Sequence, residues 1–150
     1  MVITFSGIDG SGKTTQAQYA VQHLSHKGFE VRYIHMIQWT LVNRLGRVLQ
    51  VRRTQSFNKN HSQNIKCFFN LARQLISLLD IFRFQNLILP FCHKQKQIII
   101  CDRYFYDLGI QAIYTGAMTK KGVSRYWALV PKPDISILLD ISSEVAKQRE

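Results

Sequence analysis

The sequence has few acidic residues relative to basic ones. Of 150 residues, 9 are Asp or Glu and 20 are Lys or Arg, which gives a formal net charge of +11 at pH 7. A basic balance favours polyanionic partners such as nucleic acid, anionic lipid or phosphate-bearing small molecules. Hydrophobic residues make up 46% and prolines number 3, which excludes a disordered or collagen-like chain and favours one globular domain.

Cysteines are also scarce, and no long uncharged apolar run is present. Cys67, Cys92 and Cys101 are widely spaced without a C-x-x-C pair, so we expect buried reduced thiols rather than disulfides or a zinc site. No uncharged apolar run reaches the roughly 18 residues that a membrane span requires. The N-terminus lacks the basic region of a signal peptide. We therefore expect a cytoplasmic protein without a membrane partner.

Short apolar runs alternate with segments of helical spacing. The runs lie at residues 2–6, 29–35, 97–101 and 135–140, and the helical segments at 13–27, 63–91, 108–117, 123–129 and from 142 onward. This alternation predicts an α/β domain with a parallel sheet and helices on both faces. In the segment 63–91 the helical spacing predicts a core face formed by Leu71, Leu75, Leu78, Leu79 and Phe82.

Residues 7–14 read Gly-Ile-Asp-Gly-Ser-Gly-Lys-Thr and fit G-x-x-x-x-G-K-[ST] at every fixed position. The motif follows a predicted strand and opens a predicted helix, the context that a phosphate-binding loop requires. In such a loop, backbone N–H groups approach the phosphates, Lys13 reaches the β- and γ-phosphates, and the Thr14 hydroxyl ligates Mg²⁺. An N-K-x-D guanine-reading pattern is missing, which disfavours a GTPase. We predict an ATP site formed by Gly7, Ile8, Asp9, Gly10, Ser11, Gly12, Lys13, Thr14 and Thr15.

Asp102 and Arg103 directly follow the apolar run 97–101. Ligands of doubly wound sheets bind at this end of the strands. An acid there can hold Mg²⁺ or orient the attacking oxygen, and an arginine can bridge anionic phosphates. We therefore predict Lys13, Asp102 and Arg103 as catalytic residues, with Thr14 and Asp102 as the metal site.

Taken together, these motifs resemble the thymidylate kinase family. Residues 5–16, 102–104 and 131–140 are similar to its phosphate-binding loop, its D-R-Y/H signature and its P-x-P-D strand entry, in the same order. The resemblance implies a P-loop NTPase-type fold, with four of the five expected strands present. It implies a transferase that moves a phosphoryl group from ATP·Mg²⁺ to a nucleoside monophosphate, with dTMP as the leading acceptor. It also implies nucleotide substrates and a homodimer. The sequence contains no recognised nucleic-acid-binding module, so we expect no specific nucleic-acid partner.

The resemblance further implies an acceptor site. It places Asp9 on the sugar hydroxyl, Arg103 on the acceptor phosphate and Arg83 on a base carbonyl. It assigns Tyr104 and Asp107 to the same site.

Three departures from the family pattern leave alternatives open. Residues 35–44 lack the arginine-and-proline loop that grips the acceptor phosphate, and residues 105–111 match the thymidine-reading stretch poorly, so a different acceptor stays open. The sequence stops at Glu150, where the arginine-bearing lid begins, and Arg149 is the arginine at a lid position. We therefore expect a single kinase domain over residues 1–150 that ends before the lid and fifth strand. The alternatives are a nucleotide-binding protein with weak or no kinase activity and, from the charge alone, a nucleic-acid-associated NTPase.

Overall fold

The structure, a computed structural model, describes residues 1–41, 43–44, 63–93, 95–142 and 144–146. Within these residues, a sheet of four parallel strands lies at the centre, in the order β2-β3-β1-β4. The strands are β1 (Val2–Gly7), β2 (Glu30–His35), β3 (Gln97–Asp102) and β4 (Ile135–Leu139). The predicted α/β fold with a parallel sheet is therefore confirmed.

The two central strands carry the apolar runs. Ile98, Ile99 and Ile100 of β3 are all buried, as are Val2 and Phe5 of β1. Parallel strands covered by helices on both faces require such continuous apolar sequence. The edge strand β4 is more open, because Ile135, Ser136 and Leu138 are exposed and Ile137 and Leu139 are half-buried.

Helix α1 (Lys13–His26) covers one face of the sheet and begins within the phosphate-binding motif, at Lys13. It ends in a Schellman motif, in which the Phe29 amide donates to the Leu24 carbonyl and the Gly28 amide to the Ser25 carbonyl. Gly28 has a positive φ of 82°, which matches the stop predicted at this glycine. Ala17 of α1 packs into a cluster with side chains of β1 and β3.

The opposite face is covered by further helices of the part of the chain that the structure describes. These are α2 (Met36–Trp39), α3 (Gln63–Arg83), α4 (Phe105–Tyr114) and α5 (Lys120–Leu129), of which α3 continues through a π-helical turn, Phe84–Ile88, and a 3-10 turn, Leu89–His93. Ile81, Phe84 and Ile88 of this continuous segment are buried against the sheet. The predicted strands and the predicted helices up to residue 129 are therefore present, with ends shifted by a few residues. Most of the helix predicted from residue 142 onward lies outside the described residues.

The predicted core face of α3 is wrong. Its members are 40% to 62% exposed. The side that meets the core carries Ile81 together with Asp80, whose side chain is 1% exposed and accepts hydrogen bonds from the Leu41 amide (3.0 Å) and Arg83 (2.9 Å). Apolar residues lie on more than one side of this helix, so their spacing does not reveal which side meets the sheet. We call Leu71, Leu75, Leu78, Leu79 and Phe82 the exposed α3 stripe.

The same segment has the length and composition of a membrane span. Leu71–Cys92 reaches a mean hydropathy of 1.4. Because it contains the charged residues Arg73, Asp80 and Arg83, it is not one of the uncharged apolar runs considered in the sequence. Core helices of soluble proteins meet this criterion as well, which makes it weak support for a membrane segment. The expected lack of a membrane partner stays a prediction.

The cysteines that the structure describes are free thiols. Cys101 is buried and Cys92 is half-buried. The side chain of Cys67 lies outside the described residues.

Candidate active site

The phosphate-binding loop joins β1 to α1 at the carboxyl edge of the sheet. Gly7 and Gly10 have φ values of 148° and 75°, which L side chains rarely adopt. A Cβ on Gly10 would lie 2.7 Å from the Ala146 carbonyl oxygen, and one on Gly7 would collide with the Leu139 carbonyl. Both positions therefore require glycine, because of their backbone conformation and because other segments of the same chain pack closely against them.

Lys13 folds back over this loop. Its side chain is 6% exposed, and its ammonium lies 3.7 Å from Asp9 Oδ1. The ammonium also donates a hydrogen bond to the Ile8 carbonyl. The positive charge of Lys13 thus lies among oxygen atoms of the loop and beside the positive end of the α1 dipole. A phosphate bound at the N-terminus of α1 would contact this ammonium.

Thr14 and Asp102 meet where α1 begins and β3 ends. The Thr14 hydroxyl donates a 2.6 Å hydrogen bond to Asp102 Oδ2, and the Asp102 side chain is 1% exposed. Hydroxyl and carboxylate oxygens are ligands that Mg²⁺ prefers, and Mg²⁺ is usually held by one or two carboxylates together with substrate phosphates. In the part of the chain that the structure describes, no group of three His, Cys, Asp or Glu side chains could hold a metal. These two residues fit the role of a magnesium pair that is completed by nucleotide phosphates.

Arg103 leaves the sheet through an unusual backbone turn. Its φ is 65°, a left-handed conformation that costs a non-glycine residue roughly 1–2 kcal/mol. Its amide donates to the Phe5 carbonyl at 2.8 Å, and its guanidinium forms an ion pair with Asp9. Such backbone strain clusters at functional sites. Here the turn brings the arginine side chain against the phosphate-binding loop.

These residues surround one cavity of about 510 Å³. The predicted catalytic residues Lys13, Asp102 and Arg103 all line it. His35 and Ile37, which the sequence prediction missed, line it as well. Six of the nine predicted ATP-site residues line this cavity, namely Asp9, Gly10, Gly12, Lys13, Thr14 and Thr15, whereas Gly7, Ile8 and Ser11 do not. The catalytic roles stay predictions.

Tyr33 is a further residue that the prediction missed. Its hydroxyl donates a 2.9 Å hydrogen bond to Asp102 Oδ2, while His35 Nε2 lies 3.8 Å from the same oxygen. Burial, followed by the hydrogen bond to Asp102, raises the pKa of Tyr33. The sequence shows that Tyr33 and His35 lie near the carboxyl end of β2. It does not show that β2 pairs with β3, which is what brings both residues close to Asp102.

Tyr104 and Asp107, assigned to the acceptor site, have structural partners. Tyr104 is fully buried, its hydroxyl donates to the Pro131 carbonyl at 2.7 Å, and burial raises its pKa. The Asp107 carboxylate caps α4, where it accepts hydrogen bonds from the Ser6 hydroxyl (2.7 Å) and the Tyr104 amide (2.9 Å). Both side chains therefore hold the start of α4 in place, and their contact with an acceptor stays a prediction.

Arg83 lies at the end of α3 in a fixed position. Its guanidinium is 4.6 Å from the ring centroid of Trp39, and its Nη1 donates to Asp80 Oδ1 at 2.9 Å. A guanidinium stacked on an indole and paired with a buried carboxylate has little freedom to turn. The lid position Arg149 lies outside the described residues.

Comparison with known proteins agrees with this geometry. The sequence profile of the thymidylate kinase family matches residues 5–150. This chain belongs to the thymidylate kinase family. It is 29% identical over 152 residues to a probable thymidylate kinase of Pyrococcus horikoshii, an alignment that covers 98% of this chain and 68% of that protein. It is also 29% identical over 154 residues to a thymidylate kinase of Caenorhabditis elegans, covering 99% of this chain and 66% of that protein.

Solved structures agree as well. A crystal structure of thymidylate kinase from Ehrlichia chaffeensis matches with a TM-score of 0.62 and 27% identity, over 99% of this chain and 75% of that one. Thymidylate kinase from Candida albicans matches with a TM-score of 0.66 at 19% identity, over 99% of this chain and 66% of that one, and supports the fold alone. The chain therefore spans about two thirds to three quarters of the length of these relatives.

Family membership confirms several predictions. The predicted family, its α/β phosphate-loop fold and the enzyme class, a nucleoside monophosphate kinase, are all correct. Thymidylate kinases phosphorylate dTMP, use ATP as the phosphate donor and bind nucleotide substrates. They are soluble enzymes.

Proposed function

We propose that this chain transfers the γ-phosphoryl group of ATP to dTMP and forms dTDP. The observation that carries the proposal is that Lys13, Thr14, Asp102 and Arg103 line one cavity. These residues belong to two of the family's motifs and lie up to 90 positions apart in the sequence. A structural role for these motifs would not require two cations and a buried carboxylate to face one open space.

On the donor side, the phosphate-binding loop holds the nucleotide. Its backbone N–H groups and the N-terminus of α1 surround the β- and γ-phosphates, and Lys13 adds a positive charge to them. Thr14 and Asp102 would hold Mg²⁺. The bound ion supplies neutralisation of the charge on the phosphate oxygens. ATP with Mg²⁺ is therefore the proposed donor.

Arg103 serves the acceptor and the transferred group. It lies on the same cavity, paired with the exposed carboxylate of Asp9. We assign Asp9 to the acceptor sugar hydroxyl and Arg103 to the acceptor phosphate, between the two nucleotides. Chemistry of this kind needs positioning and charge stabilisation rather than a covalent intermediate, and Lys13 and Arg103 supply positive charge for it.

The base of the acceptor is assigned to Arg83. Its guanidinium is held by Trp39 and Asp80 at the end of α3, which prepares it to donate hydrogen bonds to a base carbonyl. Trp39, on which Arg83 stacks, belongs to the same short helix as Ile37, a residue that lines the cavity.

Two wider properties complete the proposal. We propose that two copies of the chain pair through the exposed α3 stripe, because neighbouring exposed apolar side chains on one helix are typical of an interaction surface. We also propose a cytoplasmic location, on the ground that members of the family are soluble.

The proposal is tested with γ-labelled ATP, Mg²⁺ and a panel of nucleoside monophosphates. Label should move to dTMP in preference to dCMP, dGMP or AMP. Transfer to a different monophosphate would keep the reaction and change the acceptor. ATP binding without transfer to any of them would favour a nucleotide-binding protein without kinase activity.

A further inference from the structure

We propose that Tyr33 is a positioning residue for the Mg²⁺-ATP site, because its hydroxyl fixes the carboxylate of Asp102. This inference rests on the proposed function of the same site. Tyr33 does not line the large cavity and is not a catalytic residue. It acts through Asp102.

The contact is well defined. The Tyr33 hydroxyl and the Thr14 hydroxyl both donate to Oδ2 of Asp102, at 2.9 Å and 2.6 Å. Both are charge-assisted hydrogen bonds to a nearly inaccessible carboxylate, the strong kind of hydrogen bond. His35 Nε2 lies 3.8 Å from the same oxygen, which is beyond hydrogen-bond distance. Of these three neighbours, only the two hydroxyls orient the carboxylate.

The two bonds have a consequence for the other oxygen. A carboxylate oxygen has two lone-pair sites, and Thr14 and Tyr33 fill those of Oδ2. Within the described residues, no hydrogen bond reaches Oδ1. The carboxylate is therefore held by one oxygen, and Oδ1 is left for a water or ion beside the nucleotide phosphates.

The sheet determines which residue can provide this bond. In the parallel register of β2 and β3, His35 lies opposite Asp102 and Tyr33 lies opposite Ile100. Residues two apart on a strand point to the same face, so Tyr33 and Asp102 share the face that α1 covers. The tyrosine ring packs beside the cluster of α1 and the central strands, and its side chain is long enough to reach the next carboxylate along that face.

Removal of the hydroxyl should loosen the metal site without unfolding the protein. Loss of a group that hydrogen-bonds to a metal-binding side chain and orients it typically weakens metal affinity by about 10- to 100-fold. In Tyr33→Phe the ring stays, while Oδ2 keeps the Thr14 bond alone. We expect ATP affinity in the absence of Mg²⁺ to stay within about twofold of wild type, and the concentration of Mg²⁺ at half-saturation to rise by about tenfold.

The test is an equilibrium titration of the whole chain with a fluorescent ATP analogue, with and without Mg²⁺. Tyr19→Phe is the matched control, because Tyr19 lies on α1 with 63% of its surface exposed. It should titrate like wild type. Thermal melting of each variant shows that the fold is intact. The measurement needs no acceptor, so it can succeed even if transfer to dTMP fails.

A double-mutant cycle with Asp102→Asn decides whether Tyr33 acts through the carboxylate. If it does, Tyr33→Phe should add less than about twofold to the effect of Asp102→Asn, since interacting residues are not additive. Unchanged Mg²⁺ dependence in Tyr33→Phe would overturn the inference, as would a full additional loss in the Asp102→Asn background. If wild type gains no ATP affinity from Mg²⁺, the inference fails together with the donor side of the proposed function.

Discussion

Thr14 and Asp102 are 88 positions apart in the sequence, and the hydroxyl of one donates a 2.6 Å hydrogen bond to the carboxylate of the other. This bond joins the phosphate-binding loop to the end of the strand beside β1. It brings the two predicted metal ligands within reach of a single ion.

Asp102→Asn should reduce phosphoryl transfer by about 10²-fold or more in kcat, because it removes the carboxylate that is assigned to hold Mg²⁺ at the transferring phosphates. The KM for dTMP should change much less. Steady-state kinetics with ATP and dTMP measures both. Asp134→Asn is the control, since Asp134 is an exposed acid that accepts a 2.6 Å bond from the Val2 amide, away from the cavity. A kcat of Asp102→Asn within a few-fold of wild type would rule out its assigned role.

Arg103→Ala should lower kcat by about 10³-fold, the lower end of what a phosphate-contacting arginine contributes in phosphoryl transfer. Asp9→Asn should have a smaller effect, because it removes the partner and leaves the cation. Arg32→Ala provides the comparison, as Arg32 is an exposed arginine stacked on Phe91. Equal activity of the Arg103 and Arg32 variants would show that Arg103 is an ordinary surface arginine.

Gly10→Ala should weaken ATP binding by more than tenfold and destabilise the fold, because the new Cβ would lie 2.7 Å from the Ala146 carbonyl at a φ of 75°. Gly116→Ala is matched in conformation, with a φ of 68°, but no atom lies within 4 Å of its Cβ position. It should cost only the backbone strain, about 1 kcal/mol of unfolding free energy. Calorimetric ATP titration and thermal melting separate the two. Similar behaviour of the two variants would mean that contact at the loop is unimportant.

Leu75→Glu, in the middle of the exposed α3 stripe, should convert dimers into monomers of 17.5 kDa. A buried charge at the centre of an apolar interface is strongly unfavourable. Light scattering after size-exclusion chromatography gives the mass. Tyr114→Glu on α4, at a side chain that is 91% exposed, should leave the dimer unchanged. A monomeric wild type would contradict the pairing, and binding of wild type to lipid vesicles would assign the stripe to a membrane instead.

Local sequence signals predicted much of this fold. The apolar runs of β1 and β3 are long enough and bounded clearly enough that their strands end within one or two residues of the predicted positions. Gly28 predicted the end of α1, because few other residues adopt its conformation. The phosphate-binding loop was evident from its spacing, which depends on consecutive residues alone.

Features that depend on packing were less accessible. The exposed α3 stripe was predicted to be buried, since helical spacing shows that a face is apolar but not what covers it. The side of α3 that does meet the core includes the charged residue Asp80. Its burial depends on hydrogen bonds from the Leu41 amide and the Arg83 guanidinium, which helical spacing does not reveal. Tyr33 was missed for a similar reason. Its contact with Asp102 follows from the neighbouring places of β2 and β3 in the sheet, which no short motif encodes.

Transfer of label from ATP·Mg²⁺ to dTMP by wild type, Lys13→Ala and Lys27→Ala tests the central claim most directly. Lys27 follows α1 at an exposed position, so its variant has the same change of charge outside the site. We expect wild type and Lys27→Ala to form dTDP at similar rates, and Lys13→Ala to form none while it melts at the temperature of wild type. Formation of dTDP by Lys13→Ala at the wild-type rate would contradict the assignment of this cavity as the site of phosphoryl transfer.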